Sequence, residues 1–155
     1  MTGVPYELRP VARVAGGRTE VADDGWGEVR ATLELAPEVP GDALAGLEDF
    51  SHVEVVALAD RASDVPPAPW RRRPRGNPAW PEVGVFAQRN KDRPNRLLVS
   101  VARIVRVAPR ALVVEGLDLV EGTPVLDIKP VYAWLGPRGP LRAPRWSDEL
   151  GAAYY

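Results

Sequence analysis

The stretch Glu28-Val29-Arg30-Ala31-Thr32-Leu33-Glu34-Leu35 alternates polar and apolar side chains. That is the period of a strand with one face in a core and the other toward water. Further along, His52-Val53-Glu54-Val55-Val56-Ala57-Leu58 starts in the same way and then turns continuously apolar, which predicts a strand buried on both faces. More strands are expected over Tyr6 to Val14, Val83 to Gln88, Leu97 to Val107, Ala111 to Glu115 and Val125 to Lys129. Short strands punctuated by Gly and Pro predict a mainly β protein, an antiparallel sandwich or barrel with long loops. Helix signals are few: one turn over Asp42 to Leu47 capped by Asp42, and a capped terminal helix beginning at Ser147-Asp148-Glu149-Leu150. The 17 prolines among 155 residues argue against long helices.

The composition is that of one globular domain over residues 1–155, with 45% hydrophobic and 26% charged residues. There is no cysteine and only one histidine. Disulfides, thiolate nucleophiles, Cys-based zinc sites and multi-His metal centres are therefore excluded, and no metal is expected. The first residues lack the basic and apolar regions of a signal peptide. No apolar run nears the roughly 20 residues that cross a bilayer. The expectation is a cytoplasmic protein with no membrane association.

Charge is unevenly placed. Between Arg61 and Arg96 lie nine basic and three acidic residues, a local +6 in a chain whose total is −1. Arginine forks at that density suit phosphate or carboxylate groups; a solvated loop balancing an acidic body is the other reading. Most of that charge falls in a Pro- and Arg-rich insertion, Asp60 to Pro81, and in the loop Arg89 to Arg96.

Phosphate-binding Gly-rich loops and the His-Glu-x-x-His zinc motif are absent. Ser51 and His52 are adjacent, and adjacent strand side chains point apart, which argues against a dyad. Asp127 and Lys129 are two apart and share a face, with Val125 below them. Such a pair is either structural or holds a polar ligand.

The phrases Leu47-Glu48-Asp49-Phe50-Ser51-His52-Val53, Gly84 to Ser100 (with Arg93-Pro94-Asn95) and Gly116 to Pro130 resemble the TrmO/TsaA-like family, over about Tyr6 to Tyr132. The resemblance implies a small antiparallel β-barrel that binds S-adenosyl-L-methionine (SAM), usually as a homodimer with the cofactor near the interface. It implies methyl transfer to N6 of threonylcarbamoyladenosine at position 37 of tRNA. Matched to the family's cofactor contacts are Asp60, Arg61, Arg89, Val99, Glu115, Gly116, Leu117 and Asp118. Arg93, Asn95, Asp127 and Lys129 match its polar signature, with Asn95, Asp127 and Lys129 as candidates for substrate orientation and proton handling.

The chain departs from that pattern in three places. Leu98 replaces a glycine, the Asp23-Asp24-Gly25-Trp26-Gly27 loop stands where an early contact is expected, and the extra C-terminal domain of longer members is missing. Trp26 either stacks on a cofactor or substrate ring or is a buried turn residue. The departures leave open a SAM-dependent enzyme of small metabolites and a non-catalytic RNA-binding or SAM-sensing module. The aromatic tail, residues 133–155, is expected to pack on its own barrel or on a partner subunit.

Overall fold

The computed structural model describes residues 3–62 and 70–155; residues 63–69, inside the insertion expected at Asp60 to Pro81, lie outside the described residues. In chain order the strands are β1 Ala12–Ala15, β2 Arg30–Leu35, β3 His52–Leu58, β4 Arg71–Arg72, β5 Val83–Gly84, β6 Leu97–Ala108, β7 Ala111–Glu115 and β8 Pro124–Pro130, followed by helix α1, Arg145–Gly151. Six strands close a barrel in the order β1-β2-β7-β6-β3-β8, and β4 pairs with β5 in a separate ribbon. Every pairing is antiparallel. The architecture is thus mainly β with few short helices, as the alternation predicts.

That alternation places the core. β2 sends Ala31 and Leu33 inward, β3 sends Val53, Val55 and Ala57, and β7 sends Leu112 and Val114, all at most 4% exposed. Each fully buried Val or Leu side chain contributes about 1.5–3 kcal/mol, which is what holds short strands in register. β3 corrects one expectation. Its burial alternates along the whole strand, so Val56 and Leu58 belong to a half-covered outer face rather than to a second core.

Other boundaries shift for local reasons. The first strand forms later than expected, over Ala12–Ala15 with Val11 joining it by backbone hydrogen bonds to Val125 and Ala36, while Tyr6 and Leu8 stay exposed. Val83–Gly84 pairs with β4, and the chain then tightens into a 3₁₀ turn at Val85–Ala87. The expected turn near Asp42 is two 3₁₀ turns, Gly41–Leu44 and Leu47–Asp49, and the first is entered from Pro40 without a side-chain cap. Ser147 is not a cap either. Helix α1 starts two residues earlier, after Pro144, and the Ser147 hydroxyl donates to the Pro144 carbonyl at 2.7 Å.

Two features lock the barrel's ends. Ala108 pairs with Ala111, leaving Pro109 and Arg110 as a two-residue turn between β6 and β7. Gly41 lies against that turn, and a Cβ on it would sit 2.0 Å from the Pro109 carbonyl oxygen. At the other end Glu115 accepts from Arg30 of β2 at 2.8 Å and from Arg103 of β6 at 2.6 Å. Both arginines are its cross-strand partners in register, so one carboxylate ties three strands.

Gly41→Ala is expected to lower stability by about 1–3 kcal/mol through this overlap, read from the urea midpoint. Glu115 is held below its ordinary value of 4.5, first by the hydrogen bond from Arg103 and then by that from Arg30. The folded state therefore binds fewer protons than the unfolded one, and the stabilisation is present above that ordinary value and fades as pH falls through the lowered one. Glu115→Gln should consequently melt below wild type at pH 7, with the gap closing under acid; a gap independent of pH would contradict the pairing.

Candidate functional site

A cavity of about 1180 Å³ opens on one side of the barrel, between the outer face of β6, the turn after β3, the loop after Val85, and the C-terminal segment. Each wall has a local cause. At the end of β3 the Ala62 amide closes a turn on the Ala59 carbonyl at 3.1 Å, which presents Asp60 and Arg61. In the loop after Val85, Arg93 Nη1 donates to the Gln88 carbonyl at 2.6 Å and pulls the segment into a ring. Arg89 is anchored by donating to the Val99 carbonyl on β6 at 2.9 Å.

Gln88 fixes the polarity of this loop. Its buried amide nitrogen donates to the Arg72 carbonyl at 3.0 Å and the Val83 carbonyl at 3.2 Å. Its oxygen must therefore face Asn90, whose amide nitrogen donates to it at 3.0 Å. That leaves Asn90 Oδ1 buried as an acceptor without a hydrogen-bond partner among the described residues. A buried acceptor in this state costs about 1–3 kcal/mol.

The cavity's charges are of both signs. Asp23, Asp60, Asp92 and Asp118 line it, as do Arg61, Arg89 and Arg93. Asp92 is engaged by Arg72 at 2.9 Å. The three arginines just named bond only to backbone carbonyls and form no ion pair among the described residues. Asp118 accepts hydrogen bonds from the Ser100 and Tyr154 hydroxyls. Burial, and next the bond to Asp118, push the Tyr154 phenol above its ordinary range, so at neutral pH it keeps the proton it donates.

Seven of the residues singled out from the sequence meet here: Trp26, Asp60, Arg61, Arg89, Arg93, Val99 and Asp118. Trp26 is a turn residue only 2% exposed. Its indole N–H donates to the Ala22 carbonyl at 3.2 Å, and the Arg18 guanidinium lies 4.6 Å above its ring, so that face is already covered. Glu115, Gly116 and Leu117 do not line the cavity; Glu115 is clamped by its arginines and Leu117 is fully buried in the core.

Asn95, Asp127 and Lys129 also lie off the cavity wall. Lys129 Nζ meets Asp127 Oδ2 at 2.6 Å, and that hydrogen bond raises the lysine's pKa. At neutral pH it is an ammonium, which offers donors and no lone pair. Val125 is not beneath this pair as the spacing alone implied. A bulge opposite Val56 and Ala57 turns Val125 into the core while Asp127 and Lys129 face outward. Register then places Asp127 level with Val56 and Val99, and Lys129 level with Glu54 and Val101. At about 4.8 Å per strand, the pair stands roughly 10 Å from the cavity's β6 wall on the same outer face.

The Ser51–His52 reading is corrected as well. Ser51 precedes β3, so strand alternation does not govern it, and its Oγ lies 2.7 Å from His52 Nδ1. Neither residue lines the cavity. Residues overlooked in the sequence include Gln88, Asn90, Ser100 and Tyr154. Ser100, a serine at an inward position of the apolar strand β6, was the visible signal among them.

The chain matches the family model for the tRNA-methyltransferase O N-terminal domain over residues 22–135. It is 46% identical over 101 residues to RcsF of Pseudomonas aeruginosa, whose name describes an S-adenosylmethionine-dependent methyltransferase, covering 63% of this chain and 41% of that protein. It is 38% identical over 102 residues to the tRNA (adenine(37)-N6)-methyltransferase of Escherichia coli, covering 62% of this chain and 42% of that one. The crystal structure of TrmO from Pseudomonas aeruginosa superposes with a TM-score of 0.73 at 31% identity, covering 90% of this chain and 61% of that one. The chain spans between about a quarter and about half the length of the curated relatives it matches. With the family model matching most of the chain and the barrel superposing on a solved relative, this chain belongs to the family of the tRNA-methyltransferase O N-terminal domain.

Proposed function

We propose that the chain is a SAM-dependent methyltransferase acting on N6 of adenosine 37 in tRNA, with the donor held in the cavity against β6. The observation that carries this reading is the cavity's donor and acceptor set. SAM has an apolar ring system, a ribose diol, two cationic centres and a carboxylate. Phe86, Leu97, Val99 and Val101 give apolar wall; Asp60 and Asp118 give acceptors; Arg61 and Arg89 give cations free of carboxylate partners among the described residues. Asn90 Oδ1 adds an acceptor that lacks a donor. The residues present fit the group.

SAM, when bound, supplies an already activated methyl. The protein's task is to orient it, exclude water and manage the acceptor's proton. Arg89 would orient the donor's carboxylate, and Asp118 a hydroxyl or ammonium. Arg61, Arg93 and the neighbouring cations suit RNA phosphates, whose neutralisation makes binding salt-dependent. The relatives named for tRNA methylation favour this acceptor over a small metabolite.

A homodimer belongs to the same reading. The outer face of β6 leaves Val99 40% and Val101 45% exposed on the cavity wall itself, and a second copy seated over the cavity mouth would shield this apolar wall together with the bound cofactor. Asp127, Lys129 and Asn95 would then act at the acceptor side, with Lys129 orienting as a cation. Among the described residues no helix is long and apolar enough to cross a membrane, and no group of His, Asp or Glu could hold a metal ion. A cytoplasmic location follows from the proposed tRNA substrate.

Calorimetric titration with SAM is expected to show binding by wild type and a loss of about 10- to 100-fold in Arg89→Ala, the worth of one charge-assisted hydrogen bond. Labelled methyl transfer to tRNA should fall in parallel. No binding by wild type at millimolar SAM would overturn the reading.

A further inference from the structure

The C-terminal segment contributes more than a cover. Trp146, Leu150, Tyr154 and Tyr155 line the cavity, and all lie beyond the last residue matched by the family model. The segment is fastened to the loop that precedes β2. The Gly25 amide donates to the Ala153 carbonyl at 3.0 Å, and the Trp26 amide to the Tyr154 carbonyl at 2.7 Å. The Trp80 indole donates to Glu149 at 2.8 Å, tying α1 to the basic insertion. A Cβ on Gly27 would lie 2.8 Å from the Tyr155 carbonyl carbon, so the two segments approach as closely as a glycine allows. Arg75 grips Asp24 with two bonds of 3.0 and 2.8 Å and steadies the same loop.

From this clasp the Tyr154 ring reaches Asp118, and its hydroxyl donates to Asp118 Oδ2. On the other oxygen, Oδ1, Asp118 accepts from Ser100, a residue only 7% exposed on β6. One carboxylate is thus held between the barrel wall and the C-terminal segment. Two donors on two different oxygens fix the plane of the group, and each oxygen keeps a lone pair for a ligand. A carboxylate left to rotate would have to be ordered again at each binding event, and preorganisation removes that cost.

We propose that Tyr154 is a positioning residue of the SAM site: its hydroxyl aims the Asp118 carboxylate at the donor groups of the bound cofactor. The inference rests on the cofactor reading given above. It assigns the C-terminal segment to cofactor affinity rather than to recognition of the acceptor. Asp118 touches the ligand, and Tyr154 acts through it.

Tyr154→Phe removes the hydroxyl and keeps the ring. SAM affinity is expected to fall about tenfold, the scale of one hydrogen bond to a charged group. KM for SAM should rise to match, while kcat at saturating SAM, KM for tRNA and the melting temperature stay near wild type. Gly27→Ala, which displaces the clasp without altering any group on the cavity wall, should raise KM for SAM in the same selective way. Unchanged SAM affinity in Tyr154→Phe overturns the proposal. So does a variant that loses SAM, tRNA and thermal stability together, the signature of a purely structural contact. Wild type failing to bind SAM would instead overturn the cofactor reading, and the inference with it.

Discussion

Strand β3 closes this barrel, and the rest of the molecule depends on the closure. It pairs with β6 on one side and β8 on the other. Its inward Val53, Val55 and Ala57 are fully buried, so a slip of one residue would exchange the core for the outer face. The same register aligns the outward residues of β6 and β8 across it. Asp127 and Lys129 are therefore brought level with the apolar rim of the cavity by hydrogen bonding inside the sheet, with no loop needed to carry them there. The bulge in β8 makes this possible, because it lets Val125 point in while Asp127 points out.

The arginines around the cavity do two kinds of work. Arg93 and Arg89 donate to backbone carbonyls, which shapes the loop and leaves their charge unneutralised by carboxylates among the described residues. Arg72 and Arg75 instead pair with Asp92 and Asp24. Guanidinium forks can bridge carbonyls and still face an anion, which a lysine's single ammonium does less well. A basic segment thus becomes a wall of a site, while part of its charge also serves as internal bracing.

Much of the barrel was legible because period-two alternation reports burial on one face, and β2, β3, β7 and the first half of β6 show it. The run Val55-Val56-Ala57-Leu58 misled because outer faces of small barrels are half-covered and tolerate apolar residues. Arg89, Arg93 and Asp118 were legible through family phrases, and Asp60 and Arg61 through the family contact at the end of the strand that His52 opens; all five line the cavity. Glu115 stands one residue before the Gly116 to Pro130 phrase and was matched to the same cofactor turn, but cross-strand pairing with Arg30 and Arg103 claims its carboxylate, and pairing depends on register rather than on local sequence. Tyr154 was invisible as a partner of Asp118 because 36 residues separate them. The bulge in β8 was invisible for a similar reason: it exists only relative to β3.

The clasp between residues 25–27 and 153–155 also has a place in time. It joins parts of the chain that only a closed barrel brings together, and such non-local contacts form after local hairpins have reduced the entropy of loop closure. Its backbone part is two hydrogen bonds, from Gly25 to Ala153 and from Trp26 to Tyr154, against the many that join the strands of the barrel. Releasing the clasp would therefore open the cavity wall that Tyr154 and Tyr155 form without breaking any strand pairing of the barrel.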